Sequence, residues 1–258
     1  MKKNLYNIDL CKGTGLISES LALFEIYKQN KSKAEMLKGI IDNNLLGKTS
    51  EKRISDILEF GLYKRYVSYG AEVPVYLHEL RNANISLEKI KQILFIYSCK
   101  ANPVLLDFVI QVYWKTYYTG NRKFEVAYAR KFIADAFKSG VIKNKWSDGT
   151  IKRMSSYLIS TLKDFNLIDS KNNMLNYTIS DIAANYLLHI LYFHGFNENQ
   201  ILEAKEWMLF GLKSEDEVLE VLKRLSFTGN FVIQHSGEIT RITWNNKSMR
   251  EFINGITK

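Results

Sequence analysis

KNKWSDGTIKRMSSYLISTLKDFNLIDSKNNMLNYTIS, residues 143–180, is the stretch whose reading decides the fold. It opens on two lysines and Trp146, and Ser147-Asp148-Gly149 then supplies a helix start. Ile151, Met154, Leu158, Leu162 and Phe165 recur at the helical period, so one side of a helix over about 150–165 faces a core. The other side carries Gly149, Lys152, Arg153, Ser156, Ser160 and Lys163. Cations and short hydroxyls suit phosphate contact and close approach to bases. A plainly solvated face would have the same composition. Phe165-Asn166-Leu167-Ile168-Asp169, the polar turn Ser170-Lys171-Asn172-Asn173 and the run 174–179 follow. Helix, short strand, turn and returning strand is the order of a winged helix, with a hairpin near 167–179.

Outward from this stretch the chain is basic. Its formal net charge is +9, and between residues 122 and 163 ten cations stand against three anions, a net +7 in 42 residues. Charge gathered in one sixth of the chain attracts a polyanion better than the same charge spread evenly. Lys143, Lys145, Lys152, Arg153, Ser156, Ser160 and Lys163 are therefore candidate DNA-binding residues. A second candidate lies near the N-terminus. A helix over about 32–43, the turn Asn44-Leu45-Leu46-Gly47-Lys48 and a helix to about residue 69 resemble a helix-turn-helix. Lys48, Lys52 and Arg53 open its second helix, where a recognition helix contacts DNA. An αα-hairpin packed in a bundle fits the same pattern.

Composition sets the class. Hydrophobic residues make up 46% of 258 positions, with only two prolines, and most segments carry the helical period. The expected fold is mainly α: a helical domain over 1–119, then 120–258 with winged-helix-like units. The second hairpin, near 231–244, is signalled by Phe231-Val232-Ile233-Gln234 and Ile239-Thr240-Arg241-Ile242-Thr243-Trp244 around His235-Ser236-Gly237-Glu238. Glu215, Asp216, Glu217 and Glu220 make the helix before it acidic, which favours a structural or protein-facing role there.

Other chemistry finds little support. Cys11 and Cys99 have neither metal spacing nor a disulfide framework, which points to a reducing compartment. His189 and His194 are five apart, off a common helix face, and no HExxH, CxxC, nucleophile elbow or Walker motif occurs. Gly13-Thr14-Gly15 lacks the lysine-serine/threonine ending of a phosphate loop and reads as an ordinary helix start. Polar Asn4–Asp9 stands where the apolar part of an export signal would be, and no run approaches the ~18 apolar residues of a membrane span. The expectation is a cytoplasmic protein with no enzyme activity, cofactor or membrane partner.

Several soft motifs occur in order: Gly15-Leu16-Ile17-Ser18-Glu19; Asn44 to Ser50 followed by Arg53; Trp146 with Thr150; Phe165-Asn166-Leu167-Ile168; Trp207 with Phe210-Gly211-Leu212; and Gly237 through Arg241 to Trp244. Together, over nearly the whole chain, they resemble the BrxA family of bacterial BREX phage-defence systems. The resemblance implies a small, non-enzymatic, helical DNA-binding component encoded beside a methyltransferase, an ATPase and phosphatase-like partners. It supplies no contact residues, so those named above rest on charge and helix geometry. Three functions follow: a double-stranded DNA-binding accessory protein, an adaptor docking onto a larger defence subunit, and an RNA-binding, antitermination-like factor.

Overall fold

The computed structural model describes residues 6–142, 146–237 and 239–257. The fold is mainly α with one short antiparallel β-hairpin. The helices are α1 (Ile17–Ile26), α2 (Lys33–Asp42), α3 (Glu51–Leu58), α4 (Val73–Asn82), α5 (Leu87–Ala101), α6 (Pro103–Phe108), α7 (Trp114–Tyr118), α8 (Val126–Lys138), α9 (Asp148–Asp164), α10 (Asp181–Phe193), α11 (Glu198–Leu202), α12 (Glu215–Ser226) and α13 (Met249–Thr257). The hairpin, β1 (Phe231–Ser236) with β2 (Ile239–Trp244), lies between α12 and α13.

Local chemistry explains the boundaries. Ser32 and Glu35 form a reciprocal capping box at the start of α2, and Pro103 occupies the first turn of α6, where its missing N–H costs nothing. Two helices depart from the regular pattern the sequence predicts. After α3 the chain widens into a π-helical turn at Glu59–Tyr63 and then a 3-10 turn at Val67–Tyr69, where one helix to about residue 69 is expected. The stretch from Pro103 to Tyr118 is likewise interrupted by a π-helical turn, Val109–Tyr113. Packing selects these turns: Ser20 Oγ donates to the Gly61 carbonyl at 2.8 Å, and Tyr113 Oη donates to the Leu167 carbonyl at 2.9 Å.

Contacts divide the chain into two compact units along a different line from the expected 119/120 boundary. One comprises residues 1–78 with 97–176, the other 79–96 with 177–258. Helices α4 and α5 run across the division, a partition that composition along the chain does not reveal.

The first unit is built on aromatic packing. Phe108 meets Phe124 edge-on at 5.8 Å and Phe132 at 5.3 Å, and Phe24 meets Tyr66 edge-on at 4.9 Å. Within it, the hairpin expected near 167–179 contracts to backbone bridges. Ile168 pairs with Met174, while Lys123, arriving from the segment before α8, pairs with Asn173 on the other side. Leu175–Ser180 continues as irregular chain, so the returning strand is far shorter than expected.

In the second unit α10 is buried from Ala183 to Leu191, and β1 packs on α12. His189 is held at the centre of an aromatic group: Phe252 stacks on it at 3.8 Å and Trp244 meets it edge-on at 5.4 Å. The hairpin near 231–244 forms with Phe231 opposite Trp244 and Ser236 opposite Ile239. Its strands reach further than the four-residue turn predicts, and Gly237, at φ +59°, takes the left-handed turn position. Helix α13 has no counterpart in the sequence reading.

Among the described residues no single helix is long and apolar enough to cross a membrane. Together α5 and α6 approach the required apolarity, but Asn102-Pro103 breaks them, and Ile93, Leu94, Val104 and Leu105 are buried in the protein.

Candidate nucleic-acid interface

Helix α9 starts where Ser147 Oγ accepts the Thr150 N–H at 3.2 Å. Met154, Leu158, Leu162 and Phe165 are buried as the spacing predicts, and Ser155, Ile159 and Thr161 widen that stripe. The two buried hydroxyls donate back to carbonyls of their own helix, Ser155 to Ile151 and Thr161 to Tyr157, so they enter the core satisfied. Helix α8 packs against α9, burying Ala129, Phe132, Ile133 and Ala136. Trp146 is edge-on to Phe137 at 5.5 Å, which pins the approach to α9.

The outward face divides along its length. Lys152, Arg153 and Ser156 are exposed, whereas Ser160 and Lys163 are half-buried. Ser156 Oγ donates to the Lys152 carbonyl at 3.0 Å. Lys163 Nζ donates to the Ser170 carbonyl at 3.0 Å, tying the end of α9 to the turn that follows. The free cations thus belong to the first half of the helix. Lys143 and Lys145 lie outside the described residues.

The two candidate surfaces, separate in the sequence, meet at a 3-10 turn, Asp9–Lys12, packed against α9. Arg53, half-buried at the start of α3, donates from its guanidinium to the Lys12 carbonyl. On the same turn, burial raises the Cys11 thiol pKa, while the positive charges of Arg153 and Lys12 pull it down. Arg53 thus meets this turn directly, and α9, which carries Arg153, packs against it, with exposed Lys52 beside Arg53 and exposed Lys152 beside Arg153. Anions temper this surface: Asp56 lies 3.6 Å from Lys12, Glu19 lies 3.8 Å from Lys48, and Asp9, on the turn itself, pairs with Lys64 at 2.9 Å.

The adjoining Gly13-Thr14-Gly15 loop is occupied by structural contacts. Arg65, only 2% exposed, donates to the carbonyls of Gly15, Thr14 and Gly13. The Gly15 N–H is taken by Asp164 at the end of α9, at 2.8 Å. A Cβ on Gly15 would lie 2.7 Å from the Asp164 side chain, which explains the glycine. The loop holds α9 against the 3-10 turn.

Sequence reasoning missed four cationic positions as site members. Lys12 carried no periodic signal. Arg122 and Lys123 come beside the 170–173 turn only through the Lys123–Asn173 bridge, and Lys171 sits on that turn. Among the described residues no group of three or more His, Cys, Asp or Glu side chains is placed to hold a metal ion.

A family model described as BrxA matches residues 4–190, well over half of the chain. The chain belongs to the BrxA family. That makes it a BREX-associated protein. The region matched to BrxA contains α3, α9 and the 167–175 bridges, while α11, α12, the hairpin and α13 lie beyond it. The fold is similar to the crystal structure of an uncharacterized protein from Magnetospirillum magneticum, with a TM-score of 0.59 at 17% identity. That similarity covers 78% of this BrxA-family chain and 97% of the other. No curated protein matches the sequence.

Proposed function

We propose that this BrxA-family protein is a non-enzymatic accessory component of a BREX-type anti-phage system that binds double-stranded DNA, mainly through its phosphates. The observation that carries this reading is the meeting of α3 and α9 at the Asp9–Lys12 turn, where Arg53 donates to the Lys12 carbonyl and α9, carrying Lys152 and Arg153, packs against the turn, with Lys52 exposed beside Arg53. The α8–α9 pair followed by the bridged turn is read as a winged helix, with the first half of α9 as the recognition segment. Lys152 and Arg153 meet phosphates there, and Ser156 leaves room for close approach. Lys52 and Arg53 extend the contact from α3, and Lys48 from the turn before it. Lys163 has a positioning role through Ser170. Cytoplasmic location accords with a DNA target and two free cysteines.

If about five phosphates are neutralised, log K plotted against log salt should have a slope of about −4.5. Replacing Lys152 and Arg153 together by glutamate should weaken binding to duplex DNA severalfold and flatten that slope. Thermal stability should change little, because both side chains are exposed. Absence of duplex binding by the unmutated protein, or binding indifferent to salt, would sink this reading. Matched competition between duplex DNA and structured RNA separates it from an RNA-binding role.

A second reading, an adaptor docking onto a larger defence subunit, is favoured by a specific surface. Phe227 is 91% exposed after α12, and Ile239 and Val232, 75% and 51% exposed, share the outer face of the hairpin. A co-purifying partner retained at high salt and lost in a Phe227→Ser/Ile239→Ser variant would support the adaptor.

A further inference from the structure

We propose that the bridged turn beside α9 is a second phosphate-contact site on the same duplex, with Lys123 and Lys171 as its contact residues. This rests on the DNA-binding reading above and extends it to residues on two separate segments.

The backbone register makes the case. In the bridge Lys123↔Asn173, the Phe124 N–H donates to the Asn172 carbonyl and the Met174 N–H to the Arg122 carbonyl, both at 2.8 Å. Antiparallel partners share a face of the ribbon, so Lys123 and Asn173 lie on one side, and Lys171 stands on the turn two residues before Asn173. Burial agrees: Lys171 and Asn173 are exposed, Asn172 and Met174 between and beyond them are half-buried, and Phe124 is buried. Arg122, also exposed, stands at the margin.

The turn is held rigid independently of any ligand. Asp169 Oδ1 accepts the N–H groups of Lys171 and Asn173, each at 2.8 Å, and its other oxygen accepts Asn173 Nδ2 at 2.7 Å. These hydrogen bonds, the Asn173 side chain's first, lower the Asp169 carboxyl pKa. The carboxylate is thus engaged by backbone and amide donors of the turn. Glu125, exposed at the start of α8, is the nearest other acid in sequence. Arg122, Lys123 and Lys171 still outnumber Asp169 and Glu125. From the other side Lys163 donates to the Ser170 carbonyl, joining the end of α9 to the turn. A preordered cationic turn fixed to a recognition helix suits a strand of regularly spaced phosphates, and it loses little conformational freedom on binding.

The test is a salt titration of duplex binding by the full chain, comparing the unmutated protein, Lys123→Gln/Lys171→Gln, Lys152→Glu/Arg153→Glu and a charge-matched control, Lys28→Gln/Lys31→Gln. Loss of two phosphate contacts should make the slope of log K against log salt less negative by about 1.8 in the turn variant. The control should retain the unmutated slope. An unchanged slope in the turn variant, while the α9 variant is weakened, overturns this site and leaves the DNA-binding reading standing. An equal change in the control also overturns it, because net charge would then be the cause. No binding by the unmutated protein overturns both.

Discussion

Gly15 and Asp164 are 149 positions apart, and only the folded chain reveals that they constrain each other. Alanine at Gly15 puts a methyl carbon 2.7 Å from the Asp164 side chain and displaces the loop that Arg65 also holds. Gly15→Ala should lower the stability of the first unit by about 1–3 kcal/mol, read as a lower urea midpoint. His189 gives a pH-dependent counterpart. The Asn185 carbonyl can only accept, so the ring donates from Nδ1 at 2.8 Å and presents Nε2 to Asn246 Nδ2 at 3.4 Å. Burial lowers its pKa from 6.5 to about 4, with the hydrogen bond to Asn185 opposing. The unfolded chain therefore binds a proton more readily between those values. This contribution to stability is fully present above pH 6.5 and is lost as pH falls toward 4, by up to ~3 kcal/mol. Urea midpoints measured from pH 7 to 4.5 should fall, and a His189→Asn variant should lack that part of the decline. Neither effect was legible beforehand: sequence spacing dismissed the histidines as ligands but could not place His189 between Phe252 and Trp244.

At the scale of elements, legibility followed the strength of local signals. Helix α9 was readable because the Ser147 cap and the spacing of Met154, Leu158, Leu162 and Phe165 agree, and the hairpin because its strands flank a glycine turn. The π-helical turns at Glu59–Tyr63 and Val109–Tyr113 were not, since tertiary partners such as Ser20 and Leu167 select them. The short pairings at Lys123 and Ile168 escaped for a related reason: a one-residue bridge has no period to detect. The candidate site was half visible. Lys152 and Arg153 could be found from helix geometry, whereas Lys163's engagement with Ser170 depends on the turn's folded position. Reversing charge on the exposed half of α9 should therefore separate binding from folding. Replacing Leu158 by alanine should not, because that buried truncation costs about 2–5 kcal/mol and should lower the melting temperature.

For the whole molecule, mainly helical character was legible from composition and period, but the grouping of helices was not. Residues 79–96 belong with the C-terminal unit through contacts no local pattern announces. Arg250 pairs with Glu79 at 2.6 Å, and Gln92 bonds both the Thr178 carbonyl and the Ser180 N–H at 2.8 Å. A fragment of residues 1–119 would lack α8 and α9, and so should not unfold cooperatively in circular dichroism. The chain passes from one unit to the other at 78/79, 96/97 and 176/177. No single cut can therefore release either unit whole, and genetic separation of the two would require rejoining ends that synthesis never brings together. Removing the C-terminal sequence alone would leave the α4–α5 portion of its unit behind.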